Sequence, residues 1–235
     1  MTRPWITLTL GTVAVAALVG VVAWRASAPE PPSHPVERRA DDDARTVLRL
    51  IADESSRWMP EGLGDVHLGM TLAALRARRP RLQPGRGARP GTLLWDETLD
   101  SGARLVTEFG ARAQVLVRVQ VLSRLDDPAG LGAHFAALRA RFGEPTGFWD
   151  CPEAADASPI RRITWRGART TLTEAVLVHA GGASVTLVVA ANEDVARALT
   201  ASACTPVTAE TLGRWPIARV LRGERIDVTE MRSTR

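Results

Sequence analysis

Lysine and tyrosine are missing from this sequence altogether, and all 30 basic residues are arginine. Almost nothing therefore titrates between the histidines and cysteines and the arginines. The isoelectric point is high for that reason, although the formal net charge is only +4. No stretch gathers the arginines into the concentrated positive stripe that counterion release from a phosphate backbone requires. A nucleic-acid partner is excluded on that ground, and the arginines read as a solvated, salt-bridged surface. Abundant alanine beside arginine-only basic usage points to a GC-rich bacterial genome.

Motifs that carry chemistry are equally scarce. There is no Gly-x-Ser-x-Gly. The histidines His34, His67, His134 and His179 show no spacing of a ligand pair, so no metal or other cofactor is expected. Glu108 and Glu174 occupy corresponding strand positions and form the one carboxylate pair with acid/base potential. Strand carboxylates more often pair with strand arginines such as Arg118. The segment Gly85-Arg-Gly-Ala-Arg-Pro-Gly91 offers arginines and backbone amides to an anion, but a mobile surface loop fits it better. No catalytic residue is assigned, and the chain does not read as an enzyme.

Cysteine is limited to Cys151 and Cys204, 53 residues apart and outside any Cys-x-x-Cys pair. That usage suits a structural disulfide in an oxidising compartment. Closing such a loop stabilises by roughly 4 kcal/mol on the chain-entropy account. A bridge would also remove the free thiol that a cysteine–histidine dyad needs.

Charge is absent from the stretch between Arg3 and Arg25, and there the chain has its longest hydrophobic run. Ile6 to Ala23 would form a helix of about 27 Å, close to the roughly 30 Å hydrocarbon core of a bilayer. Trp5 and Trp24 sit at its ends, where indole rings favour the membrane interface. Residues 1–24 are therefore expected to be a transmembrane signal anchor in contact with the lipid bilayer through residues 6–23. Cleavage after Ala28, in the small-x-small sequence Ala26-Ser-Ala28, is the alternative, opposed by Pro29. Arg25, Arg38 and Arg39 outnumber Arg3, which favours a cytoplasmic domain, but the cysteines favour the periplasm. The expected location is the bacterial inner membrane, single-pass, with the C-terminal domain in the periplasm.

Beyond the anchor, residues 25–40 read as a proline-rich linker and residues 41–59 as a helix that is either a stalk or packed through Trp58. Residues 60–204 read as an α+β domain of two similar units, 62–125 and 126–204, followed by a tail, 205–235. Ala73-Ala-Leu-Arg-Ala-Arg78 recurs as Ala136-Ala-Leu-Arg-Ala-Arg141, and Gly102-Ala-Arg104 recurs as Gly167-Ala-Arg169. Such self-similarity marks an internal repeat. Each unit opens with a helix, the first capped by Thr71 and stopped by Pro80. Strands are predicted at 92–99, 104–109, 114–123, 160–165, 170–179 and 184–190. Val115, Val117, Val119 and Val121 alternate with Arg118 and Gln120 in the clearest of them. Asn192 is read as the cap of a closing helix. The expected fold class is thus α+β: an N-terminal transmembrane helix, then tandem helix-plus-antiparallel-sheet units forming one layered domain.

Gly64-Asp-Val-His-Leu-Gly69-Met70-Thr71, followed by a short helix, resembles the opening of the SmpA/OmlA-like envelope proteins, whose domains share the fold of the β-lactamase-inhibitor proteins. The second unit carries the Gly143-Glu-Pro145 turn that closes the helices in that family. It lacks the Gly-Met-Thr start, and the lipobox cysteine of those lipoproteins is absent. The resemblance implies a protein-binding role in the cell envelope, with an envelope protein as partner. Trp149, in a proline-bounded stretch, is the candidate partner contact. Binding of a small ligand or lipid on the concave sheet face is the alternative.

Overall fold

The computed structural model describes residues 35–125, 128–152, 160–179, 182–212 and residue 219. The chain divides into two compact units, residues 1–45 and 46–235. Of the first, residues 35–45 are described, as the opening of helix α1 (Pro35–Trp58). The second unit continues through α2 (Leu72–Arg78), β1 (Gln83–Pro84), β2 (Thr92–Thr98), β3 (Arg104–Gly110), β4 (Leu116–Leu125) and α3 (Pro128–Phe142). It is completed by β5 (Gly147–Cys151), β6 (Ile160–Arg166), β7 (Thr170–His179), β8 (Gly182–Ala191), α4 (Asn192–Ala201), β9 (Thr205–Pro206) and α5 (Ala209–Leu212).

All nine strands belong to one sheet, in the order β1-β2-β3-β4-β8-β7-β6-β5-β9. Every neighbouring pair is antiparallel. The chain meanders through β1 to β4, crosses by α3 to the far side, and returns strand by strand until β8 lies against β4. This corrects the expectation of an α+β chain with a transmembrane helix and tandem helix-plus-sheet units. The described residues are mostly one nine-stranded antiparallel sheet with few helices, and no helix among them is long and apolar enough to cross a membrane. The physical reason is the β4–β8 seam. Eight residue pairs from Arg118↔Ala190 to Leu125↔Ala183 join the strands of the supposed units into one ladder. Ile6–Ala23, the stretch expected to span the membrane, lies outside the described residues.

Period-two alternation sorts the strands into two faces. Leu105, Phe109, Val119, Val121, Leu187, Val189, Leu172, Val176, Ile163 and Trp165 point to the inner face and join the hydrophobic core. Leu75 of α2 and Leu131, Phe135 and Leu138 of α3 pack into the same core. Each fully buried aliphatic or aromatic chain there contributes about 1.5–3 kcal/mol. A bulge between Glu108 and Phe109 pairs Phe109 with Leu116 while Glu108 pairs with Arg118. The extra residue, Val117, lets Leu116 and Val119 both turn inward and breaks the simple valine alternation.

Helix α1 is fastened by polar contacts as well as by packing. Ser55, fully buried, accepts from the amide of Leu68 at 2.9 Å. Trp58 donates from Nε1 to Thr170 Oγ1 at 3.0 Å and lies 5.8 Å from the Phe142 ring. Glu54 receives the Thr170 amide and hydroxyl, both at 2.7 Å, and the Arg169 amide at 3.0 Å.

The family-like motif residues are structural. Gly69 sits at φ +82 and donates to Leu116 O at 2.8 Å; Met70 O accepts from Leu116 N at 2.8 Å. Thr71 Oγ1 accepts from Ala74 N and so caps α2. Gly64 has open space around a hypothetical Cβ. Gly143, at φ +79, ends α3 in the left-handed conformation that favours glycine, and its carbonyl accepts from Trp165 Nε1 at 2.9 Å. Pro145 follows in the turn before β5. Helix α1 begins at Pro35, inside the segment read as linker, and β9 and α5 lie in the segment read as tail.

Candidate functional site

The outer face of the sheet carries Arg118 and Gln120 on β4, Val188 and Ala190 on β8, Thr171, Thr173 and Ala175 on β7, and Arg162 and Thr164 on β6. Helix α4 packs against β7 and β8 on this face. Both of its ends are tied down. At the start, Asn192 donates from Nδ2 to Gly167 O at 3.1 Å and accepts from Thr171 Oγ1 at 2.6 Å. The cap residue is Ala191, so Asn192 anchors the helix to the β6–β7 turn instead of capping it. Past the end, Cys204 forms a disulfide with Cys151 of β5, their Cα atoms 4.1 Å apart. Thr205 then pairs with Asp150 as β9 joins the sheet edge.

Two cavities flank this strap. The first, of about 170 Å³, includes Arg118, Arg162, Thr173, Val188, Asp194 and Leu199 in its lining. The second, of about 220 Å³, has Trp149, Thr164, Arg166, Asn192, Thr200 and Cys204 around it. Trp149 is half-buried on β5, opposite Arg162 and Pro206, with Nε1 3.4 Å from Thr164 Oγ1. It forms a wall of the second cavity instead of standing free in a loop.

Polar groups in the first cavity are poorly provided for. The Nε atoms of Arg118 and Arg162 and the Thr173 hydroxyl are buried with no hydrogen-bond partner among the described residues. Arg162 reaches Ser202 Oγ only at 3.5 Å, beyond good hydrogen-bond range. Burial pushes both guanidiniums below the usual arginine range, and for Arg118 repulsion from Arg89 and Arg162 acts in the same direction. An unpaired buried charge is costly, so the local balance of charge decides what this cavity is for.

The nearest carboxylates are already engaged. Glu108 stands directly opposite Arg118 in the ladder. It is held instead by Arg89, which donates from Nε to Oε1 at 2.7 Å and from Nη2 to Oε2 at 2.5 Å. Burial would raise the Glu108 carboxyl, but the bonds from Arg89 and Thr92 and the charges of Arg89 and Arg118 hold it below its ordinary value. Asp194 lines the cavity but pairs with Arg197 at 3.0 Å. Two half-buried guanidiniums whose Nε atoms lack partners, an unpartnered hydroxyl donor and an apolar floor remain. Such donors have the chemistry to hold a carboxylate or similar anion.

Glu108 and Glu174 do not meet. Glu108 faces outward, whereas Glu174 is buried on the inner face and shares a 2.7 Å hydrogen bond with His134 Nε2. Among the described residues no group of three His, Cys, Asp or Glu side chains is placed to hold a metal ion. The loop 85–91 spends Arg89 on Glu108. Sequence reasoning named Arg118 only as a partner for Glu108 and passed over Arg162, Thr173 and Asp194. Arg118 set among valines was the available signal; Arg162, Thr173 and Asp194 lie 44, 55 and 76 residues further on, and only the fold brings them together.

Comparison of the chain with protein-family models, with curated proteins and with solved structures finds no match.

Proposed function

We propose that this chain is a binding module of the bacterial cell envelope that takes a small anionic ligand between α4 and the outer face of the sheet. The observation that carries this reading is the pair of buried, unpartnered Nε atoms on Arg118 and Arg162, with the Thr173 hydroxyl beside them. An arriving carboxylate would restore the hydrogen bonds these groups lost on folding, a charge-assisted gain unavailable from neutral ligands. The cavity, about 170 Å³, is well below the 300–1,000 Å³ of sites for drug-sized molecules or lipid chains. Size therefore favours a small polar molecule over a lipid.

The disulfide supports an oxidising compartment such as the periplasm. The apolar run at residues 6–23 would attach the domain to the bilayer. An envelope protein partner, implied by the Gly69-Met70-Thr71 resemblance, is compatible with a small-ligand site but receives no support from Trp149, which is half-buried.

Thermal unfolding tests the reading. Propionate at about 100 times its dissociation constant should stabilise the protein by roughly 2.7 kcal/mol relative to chloride at equal ionic strength. For a chain of this size that is a rise of about 5–10 °C. The rise should vanish in Arg118→Gln/Arg162→Gln. An equal rise in chloride, no rise at all, or a rise retained by the double variant would overturn it.

A further inference from the structure

We propose that the ligand of this cavity is a zwitterion: a free α-amino acid with a short side chain, its carboxylate on Arg118 and Arg162 and its ammonium on Asp194. This rests on the anion reading above and adds the identity of the second charge. Asp194, in the first turn of α4, and Arg118, on β4, line the same cavity. Each lies within the other's electrostatic reach. Yet no ion pair joins them: Asp194 turns to Arg197, and Arg118 has no salt-bridge partner among the described residues. A carboxylate and a guanidinium that share a cavity without touching leave a gap with a negative and a positive wall. A simple anion would satisfy the arginines but face Asp194 across the cavity. A molecule carrying both charged groups on one carbon satisfies both walls.

The rest of the lining fits the remaining parts of such a molecule. Thr173 Oγ1 supplies a donor to the second carboxylate oxygen, and Gln120 adds a polar group at the rim. Val188, Ala190, Val195, Ala198 and Leu199 offer an apolar surface to a side chain. The volume, about 170 Å³, equals that of roughly five or six liquid water molecules. It suits an amino acid such as alanine and leaves no room for an aromatic side chain together with its backbone. A peptide's carboxyl end has the anion but not the adjacent ammonium, and an amino-acid amide has the ammonium but not the anion. The two charges are thus separately testable.

The experiment is calorimetric titration of the purified full chain with alanine, propionate, N-acetylalanine and alaninamide, repeated on Asp194→Asn and Arg162→Gln. Alanine should bind at least tenfold more tightly than propionate or N-acetylalanine, and alaninamide should not bind. Asp194→Asn should weaken alanine at least tenfold while leaving propionate unchanged or tighter, because a negative wall has gone. Arg162→Gln should weaken both. Propionate or N-acetylalanine matching alanine in the native chain would overturn the zwitterion while leaving the anion site standing. Binding of alanine that ignores Asp194→Asn would also overturn it. Failure of every probe to bind would overturn both readings together.

Discussion

Replacing Glu174 by glutamine removes the charge from a carboxyl that is fully buried on the inner face, under α3. Its Oε1 takes the His134 hydrogen bond, and its Oε2 has no partner among the described residues. Burial pushes its pKa above the ordinary carboxylate value, and the bond and charge of His134 offset only part of that. The folded chain therefore keeps the Glu174 proton to a higher pH than the unfolded chain does. Between pH 4.5 and the raised value the native state binds more protons, so stability falls as pH rises, by up to about 1.4 kcal/mol per pH unit. Glu54 works in the opposite sense. Burial would raise it, but the Thr170 hydroxyl and the Arg169 and Thr170 amides hold it below its ordinary value. Its contribution is present above the unfolded pKa and is lost as pH falls. Glutamine at 174 preserves an acceptor for His134 and exchanges one unpartnered atom for another, at a pH-independent cost of about 1–3 kcal/mol. The test is thus a slope, not an offset. Urea midpoints should be taken from pH 4.5 to 8.5 on oxidised protein, with the same m-value for both chains. The difference between variant and native stability should move in the variant's favour as pH rises, then level once the native carboxyl has ionised. Parallel curves across the range would refute the claim that burial governs this carboxyl.

Two further perturbations probe the strap and the α1 contact. Gly167→Ala should cost about 1–3 kcal/mol, because an added Cβ would overlap Glu54 Oε1 and come within 2.8 Å of its Cδ. In a Glu54→Ala background most of that cost should disappear, a coupling of at least about 1 kcal/mol in a denaturant cycle; additivity would show that the two do not abut. Reducing Cys151–Cys204, or replacing both by alanine, should lower stability by roughly 4 kcal/mol for its 53-residue separation. Identical urea midpoints for oxidised and reduced protein would refute the tether.

What could be read from the chain alone divides along the range of the interactions. Strands with one apolar face announce themselves through their own residues: 170–179 was predicted as a strand, and β7 is Thr170–His179. Strand β5 gave no such signal, because Phe148 faces the core side and Trp149 the outer side, so two neighbouring aromatics hide the alternation. β1 and β9 each hold two residues and end in proline, too short for any period to register. The helix signals were strong, yet α2 holds only seven residues before the chain turns at Pro80. The repeated Ala-Ala-Leu-Arg-Ala-Arg does mark a helix each time, in α2 and in α3, but the β4–β8 seam that merges the strands involves residues far apart in sequence.

The candidate site was hidden for a related reason. Whether Arg118 is neutralised depends on Arg89, two strands earlier in the chain, reaching Glu108 first. Whether Arg162 is buried depends on α4 being pulled across the outer face by Asn192 at one end and the Cys151–Cys204 bridge at the other. Each residue alone is an ordinary surface arginine in an arginine-rich chain. Their partial burial and their unpartnered Nε atoms arise only when loop 85–91, the strand register and the α4 strap act together, so the property that recommends them as a site belongs to the fold and not to any segment.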